Sequence, residues 1–264
     1  MNDWQTQTKK QPLFTDLDFA PPEQKSRAGS LALIGGSSGS FRTVAQTAET
    51  LTQLGVSKLH ILLPDSLKKT LPPAPNITFA PSEPSGGFSK SAEPILQAAT
   101  ADTNATLVIG DLGKNSTTAI AISSVVKNTT APTLITRDAI DLITPEAHSW
   151  INNSAHLTLL ITLPQLQKLF RTIYYPRVIT LSQPTNQLIE TLHKFTITYP
   201  ITIATTHNDQ YITSSAGQVT TTPLSDTNYS PLSIWQGDLA AKIAVHTLRQ
   251  PTQPLASATT AIFA

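Results

Sequence analysis

The feature that most constrains the fold is a short apolar run that ends in a glycine- and serine-rich turn and leads into a helical pattern. Residues 31–34 are all apolar, and residues 35–40 read Gly-Gly-Ser-Ser-Gly-Ser. Apolar residues then recur between positions 44 and 51 at spacings of four and three, which is typical of one helix face. Gly55 follows as a helix stop, and residues 59–63 form a second apolar run. This order predicts a β-strand, a helix and a parallel β-strand.

The same alternation continues along most of the chain. Apolar runs bounded by turn residues predict further strands, and the segments between them carry helical patterns. The predicted strands are residues 106–109, 132–136 and 156–162, and the predicted helices are residues 91–101, 116–127, a segment after Pro164 and 186–195. Runs of this kind predict a parallel sheet covered on both faces, which is a three-layer α/β/α sandwich.

The last quarter of the chain has a different pattern. Residues 201–205, 210–214 and 218–222 are close together and separated by turn residues, which predicts an antiparallel meander at one edge of a mostly parallel sheet. A final helix follows the turn Trp235-Gln236-Gly237-Asp238.

The domain organisation predicted from composition is simple. Residues 1–28 read as an extended N-terminal arm, and residues 29–264 as one α/β domain without an internal repeat. Residues 64–88 are rich in proline and serine, which predicts a surface loop.

Composition excludes several classes of function. With 18 basic and 17 acidic residues the formal net charge is +1, so no basic surface for nucleic acid is expected. The absence of cysteine excludes disulfides, thiolate zinc sites and cysteine nucleophiles. The histidines show no metal-ligand spacing, so no metal site in the protein itself is expected.

Hydropathy predicts neither export nor membrane insertion. The polar opening residues lack the apolar core of a secretory signal. The most apolar stretch, residues 156–166, is too short to span a bilayer. A cytoplasmic protein is the expectation. A threonine-rich surface with few charges is compatible with self-association into a homo-oligomer.

Four stretches, in this order, resemble the ADP/ATP-dependent NAD(P)H-hydrate dehydratases of the ribokinase-like superfamily. They are SRAGSLALIGGSSGS at 26–40, VIGDLGK at 108–114, ITRDAIDLI at 135–143 and WQGDLAAKIA at 235–244. The resemblance implies a ribokinase-like sandwich over residues 29–264. It also implies repair of hydrated NADH or NADPH, coupled to hydrolysis of ADP or ATP, with Mg²⁺ carried on the nucleotide phosphates.

The resemblance also implies roles for particular residues. Asp238 corresponds to the family's general base, which takes the proton of the hydroxyl that is phosphorylated or eliminated. The implied nucleotide-binding residues are Gly237, Gln236, Thr205, His207 and Asn208. The implied substrate-binding residues are Gly35, Gly36, Ser37, Ser38, Thr43, Gly110, Asp111, Gly113 and Asp138.

The chain departs from the family pattern at several of these places. The family's histidine and glutamate after a central strand are replaced in residues 162–165, and its late lysine is missing near residues 204–207. Trp235 and Gln236 stand where the family has Gly-Thr. Two alternatives therefore remain open, a non-catalytic protein that has lost its site and a small-molecule kinase of the same superfamily.

Several candidate residues also have a purely structural interpretation. Asp238 suits the first turn of a helix because acidic residues are stabilised there. Asp138 fits as an N-cap, Asp111 as a solvated turn residue, and Gly35-Gly36 as a tight turn between a strand and a helix.

Overall fold

The computed structural model describes residues 4–24 and 28–264. The basic residue that opens the first matched stretch, at position 27, lies outside the described residues. Ten strands are described: β1 Trp4–Thr6, β2 Ser30–Gly35, β3 Lys58–Pro64, β4 Ile77–Ala80, β5 Ala105–Gly110, β6 Thr133–Thr136, β7 Leu157–Leu160, β8 Thr202–His207, β9 Gln210–Ser215 and β10 Gln218–Pro223.

Eight α-helices accompany the strands in the described part of the chain. They are α1 Arg42–Gln53, α2 Glu93–Ala101, α3 Ser116–Asn128, α4 Asp138–Ile143, α5 Leu163–Thr172, α6 Thr185–Thr198, α7 Asp238–Arg249 and α8 Pro254–Thr260. The predicted alternation of strands and helices through the central part of the chain is thus confirmed.

All described strands belong to one sheet, in the order β1-β10-β9-β8-β7-β6-β5-β2-β3-β4. The strands that run from β8 to β4 in this spatial order, which include β2 and β3, are all parallel to their neighbours. β9 runs antiparallel to both β8 and β10. This confirms the predicted mostly parallel sheet with an antiparallel edge.

The two faces of the sheet bury separate cores. In β2, Ala32 and Ile34 belong to a cluster that includes residues of α2 to α6, whereas Leu31 and Leu33 belong to a cluster with residues of α1, α7 and α8. Successive side chains of a strand point to opposite faces, so a continuous apolar strand is what a sheet buried on both faces requires. The protein is therefore a three-layer α/β/α sandwich.

Two predictions for local structure need correction, and one helix was missed. The segment 64–88 is more than a surface loop, because it contains β4 and the fully buried Phe88. Helix α8 was not predicted. Asp138 is not an N-cap: the N-cap of α4 is Arg137, and Asp138 is the first helical residue.

Part of the N-terminal arm extends the sheet. β1 pairs in parallel with β10, with Gln5 opposite Thr220. The division into an arm and one domain remains a prediction. No helix in the described part of the chain has both the length and the apolar character needed to cross a membrane.

Candidate functional site

Two turns at the carboxyl edge of the parallel strands are joined by direct hydrogen bonds. The backbone N–H of Gly36, after β2, donates to the Gly110 carbonyl at the end of β5 (2.9 Å). The N–H of Thr43, in the first turn of α1, donates to Oδ2 of Asp111 (3.1 Å). Ligands of open α/β sheets bind at this edge, so the structure brings together the predicted substrate residues of the first two matched stretches.

Asp138 connects the third matched stretch to the second. Its two carboxylate oxygens accept hydrogen bonds from the backbone N–H groups of Asp111 (2.8 Å) and Leu112 (2.9 Å). The absence of a side chain at Gly110 is required here, since a Cβ at that position would lie 2.3 Å from Oδ1 of Asp138. Asp138 therefore holds the turn after β5 in place, and direct contact with a substrate remains a prediction.

Arg137 crosses the centre of the site. Its Nη2 donates to Oδ1 of Asp111 (2.6 Å), and its Nη1 donates to the carbonyl of Trp235 (2.8 Å). Asp111 is buried, not a solvated turn residue. The guanidinium thus links the turn after β5 with the turn that precedes α7.

The turn before α7 passes so close to α1 that only a glycine fits at position 237. Gly237 has φ +101°, and a Cβ added there would lie 2.4 Å from Oγ1 of Thr47. No side chain of the described residues caps the start of α7. The first backbone N–H groups of a helix have no partner within the helix and attract anions, so this end of α7 presents donors suited to a phosphate group.

The carboxylate of Asp238, the predicted general base, is held by two side chains. Its Oδ2 accepts a hydrogen bond from the Tyr229 hydroxyl and forms an ion pair with Lys242 Nζ (2.9 Å). Burial, followed by the hydrogen bond to Asp238, raises the pKa of Tyr229 well above 10, so the phenol remains a donor. Among the described residues, Oδ1 of Asp238 has no hydrogen-bond partner, and this oxygen remains available to take a proton.

The serine turn after β2 is covered by residues 64–88. The N–H of Ser38 donates to the Gly86 carbonyl (3.1 Å), which also accepts from Ser66 Oγ (2.9 Å). Ser37 is buried and pairs with Ser40 across the turn. Ser38 remains exposed.

The nucleotide-binding residues predicted on β8 lie apart from α7. Ile203 and Ala204 belong to opposite cores, so strand alternation places Thr205 and His207 on the face of α2–α6, away from α7. Thr205 is fully buried, and His207 Nε2 lies 2.7 Å from the Gln183 carbonyl. Asn208 and Gln236 are exposed. Nucleotide binding by the β8 residues stays a prediction, and no hydrogen bond in the described part joins them to Asp238.

Trp235 has a structural contribution of its own. Its half-buried side chain packs against the core cluster under α1, α7 and α8. Its carbonyl is the acceptor for Arg137.

Sequence reasoning missed three residues of the site, Arg137, Tyr229 and Lys242. Two of them had a local signal. Arg137 directly precedes Asp138 in a matched stretch, and Lys242 lies one helical turn after Asp238, where opposite charges pair. Tyr229 had no local signal, since only the folding of the preceding loop brings it to Asp238.

A surface cavity of about 470 Å³ lies beside this edge, bordered by Gly113, Lys114, Asp138, Asp141 and Lys168 among others. Two predicted substrate residues, Gly113 and Asp138, therefore share a cavity. Within residues 4–24 and 28–264, no group of three or more histidine or carboxylate side chains is arranged to hold a metal ion.

Comparisons with solved structures identify the fold. A ribokinase-like superfamily protein from Enterococcus faecalis V583 superposes with a TM-score of 0.71 at 14% identity, over 99% of this chain and 86% of that one. An ADP/ATP-dependent NAD(P)H-hydrate dehydratase from Bacillus subtilis, co-crystallised with ATP and Mg²⁺, has a TM-score of 0.58 at 14% identity, over 92% of this chain and 82% of that one.

A phosphomethylpyrimidine kinase from Clostridium difficile 630 has a TM-score of 0.51 at 12% identity, over 87% of this chain and 97% of that one. No family model matches the chain, and no curated protein matches it significantly. The fold is ribokinase-like, as the four stretches predicted, and the resemblance to the dehydratases is confirmed at the level of the fold.

Proposed function

We propose that this protein binds ADP or ATP at the start of α7 and uses Asp238 as a general base on a substrate hydroxyl. The observation that carries the proposal is the uncapped start of α7, with Gly237 at φ +101° and Asp238 as the first helical residue. Backbone donors at a helix N-terminus stabilise phosphate charge, and an adjacent carboxylate can accept the proton of the attacking hydroxyl.

The substrate proposed is the hydrate of NADH or NADPH. Asp238 takes the proton of the ring hydroxyl, whose oxygen attacks the terminal phosphorus as the bond to the leaving nucleotide breaks. Loss of that phosphate from the ring, together with a proton from the neighbouring ring carbon, restores the double bond of the reduced nicotinamide. The support is the order of the four matched stretches together with the likeness to a dehydratase fold.

Magnesium fits this site only as a partner of the nucleotide. The described residues near Asp238 offer no cluster of carboxylates to hold the ion, and Mg²⁺ is commonly bound through substrate phosphates. Its chemistry there is neutralisation of phosphate charge.

The decisive experiment incubates the protein with NADH hydrate and either ADP or ATP and measures recovery of NADH. Asp238→Asn is expected to lower turnover by about 100-fold or more, because general base catalysis contributes that much, while nucleotide binding persists. Asp102→Asn removes an exposed carboxylate at the opposite edge of the sheet and should retain wild-type turnover. Absence of NADH recovery with both nucleotides contradicts the dehydratase proposal.

A non-catalytic protein is the second candidate, favoured by a specific observation. Arg137 already bridges Asp111 and the Trp235 carbonyl, and Tyr229 and Lys242 both contact Asp238. These contacts suit a site closed by its own side chains. A nucleotide at 100 times its Kd stabilises a binding protein by about 2.7 kcal/mol, so a melting temperature unchanged by ADP and ATP would establish this candidate.

A small-molecule kinase is the third candidate, favoured by the likeness to a phosphomethylpyrimidine kinase. Asp238 would serve equally as the base for direct phosphorylation of an alcohol. Consumption of ATP in the presence of an alcohol or vitamin precursor, with no NADH recovered from the hydrate, would establish it.

A further inference from the structure

Arg137 and its partner Asp111 both have backbone conformations that residues with side chains rarely adopt. Arg137 has φ 59° and ψ −140°, and Asp111 also has φ 59°. Such conformations cost about 1–3 kcal/mol each and concentrate at functional sites. The strained backbone of Arg137 is held from behind by Gln165, whose Nε2 donates to the Arg137 carbonyl (2.8 Å).

The guanidinium of Arg137 is incompletely satisfied. A guanidinium carries five N–H donors, whereas the described contacts are one to Asp111 and one to Trp235. Its Nε is buried and has no hydrogen-bond partner in the described part of the chain. The side chain nevertheless remains 27% exposed, so its outer N–H groups can reach a ligand.

The Arg137 guanidinium lies close to the start of α7, and both attract negative charge. Arg137 binds the carbonyl of Trp235, two residues before Gly237, where α7 presents its uncapped N–H groups. The other two carboxylates at this edge already have partners. Asp138 accepts hydrogen bonds from two backbone N–H groups, and Asp238 forms an ion pair with Lys242. The guanidinium and the helix end therefore attract the same kind of group, an anion.

The Arg137 side chain fits beside the turn after β5 because residue 110 is a glycine. A Cβ at Gly110 would lie 3.1 Å from the Cβ of Arg137 and 3.4 Å from its Nε. The absence of a side chain at Gly110 therefore leaves space for both Arg137 and Asp138.

We propose that Arg137 is a phosphate-binding residue, whose guanidinium pairs with a phosphate group seated at the start of α7. The proposal deepens the proposed function and rests on it for the location of the phosphate. The phosphate comes either from the nucleotide or from the dinucleotide substrate, and an arginine fork suits both because it pairs with phosphate oxygens through two parallel hydrogen bonds. In the unliganded protein, Asp111 and the Trp235 carbonyl hold the guanidinium in place.

The test measures affinities by calorimetry for phosphate-bearing probes and their phosphate-free counterparts. ADP and ATP are compared with adenosine, and NADH is compared with reduced nicotinamide riboside. The proteins are the wild type, Arg137→Gln, Arg137→Lys and Asp111→Asn. Arg171→Gln, which removes an exposed arginine on α5, is the matched control.

Arg137→Gln should weaken binding of the phosphate probe by about tenfold or more, the value of one charge-assisted hydrogen bond, and leave nucleoside binding unchanged. Arg137→Lys should lose less, because it keeps the charge without the fork. Asp111→Asn should retain or increase phosphate affinity, since it removes a competing carboxylate. The probe pair in which Arg137→Gln loses affinity identifies the source of the phosphate. A loss for ADP or ATP indicates the nucleotide, and a loss for NADH indicates the dinucleotide.

A purely structural bridge between the two turns gives the opposite pattern. Arg137→Gln and Asp111→Asn each break the same ion pair, so a structural role predicts equal losses for both variants and for all probes. Equal losses would overturn the proposal, as would wild-type phosphate affinity in Arg137→Gln or a wild type that does not prefer phosphates to nucleosides. Failure of NADH recovery alone leaves these binding results interpretable and rejects only the dehydratase proposal.

Discussion

At the scale of single residues, the site depends on side chains that hold other groups in place. Asp138 anchors the turn after β5 through two backbone N–H groups, and Gln165 supports the backbone of Arg137. Tyr229 and Lys242 fix one oxygen of Asp238 and leave the other available. A carboxylate oriented in this way loses less freedom when it meets a substrate, which is how preorganised sites lower a barrier.

Tyr229→Phe tests this arrangement. The substitution removes the hydroxyl that donates to Asp238 and should lower the free energy of unfolding by about 1 kcal/mol, the net value of a typical hydrogen bond. Urea denaturation measures the change. Tyr174→Phe is the matched control, because Tyr174 is 85% exposed. Equal stability changes in the two variants would contradict a role for the Tyr229 hydroxyl.

At the scale of secondary-structure elements, the N-terminal arm is held by a buried glutamine as well as by strand pairing. Gln7 is fully buried, and its Nε2 donates to Thr222 Oγ1 (2.9 Å) and to the Thr259 carbonyl (2.7 Å). The arm thereby connects β10 with α8. An edge strand covered in this way has fewer unpaired backbone groups exposed.

Gln7→Ala should destabilise the protein by about 2–3 kcal/mol, because it removes two buried hydrogen bonds. Chemical denaturation measures the loss, and limited proteolysis should show earlier cleavage in the arm. Gln11→Ala, at an exposed position of the same arm, should behave as the wild type. Unchanged stability of Gln7→Ala would show that strand pairing alone holds the arm.

At the scale of the whole molecule, the arm and the last helices meet around a buried histidine. His246 on α7 is stacked on Phe19 of the arm, with ring centroids 4.5 Å apart. Burial, and next the charge of Arg249, lower the pKa of His246 to about 4 from its ordinary 6.5. The folded protein therefore favours the neutral imidazole.

This shift predicts a loss of stability in acid. Between pH 6.5 and about 4 the unfolded chain binds a proton at His246 that the folded protein does not bind. The free energy of unfolding therefore falls as pH decreases through this range, by about 3 kcal/mol in total. The contribution is fully present above pH 6.5. Urea denaturation at several pH values measures the slope.

His246→Gln should flatten that slope between pH 6.5 and 4, whatever its effect on stability at neutral pH. His148→Gln, which replaces an exposed histidine, should keep the wild-type slope. A wild-type slope in His246→Gln would assign the acid sensitivity to other groups.

The sequence was sufficient to predict the strands and helices that carry their own apolar pattern. β2, α1, β3, β5 and α7 all lie where their periodicity placed them. β1 and β4 were missed for a physical reason: β1 is polar and exposed, and β4 lies in a proline-rich segment. Each is a strand only because a neighbouring strand supplies its hydrogen bonds.

The sequence predicted the turns of the candidate site, but it did not predict which side chains meet there. The glycine turns after β2 and β5 and before α7 were visible as spacing in the chain, because local backbone geometry demands glycine there. The grouping of β8 residues with α7 was not supported, since strand alternation directs Thr205 and His207 to the other face. Periodicity identifies a strand but not which of its faces meets a given helix.

By itself, then, the sequence determined an alternating, mostly parallel α/β sandwich whose turns converge at one edge, since short-range periodicity and turn chemistry act on neighbouring residues. Only the tertiary structure decided which charges meet at that edge. Arg137 reaches the Trp235 carbonyl across 98 positions of the chain, and Tyr229 meets Asp238 through a folded loop. Such contacts depend on how whole layers pack, which no local pattern encodes.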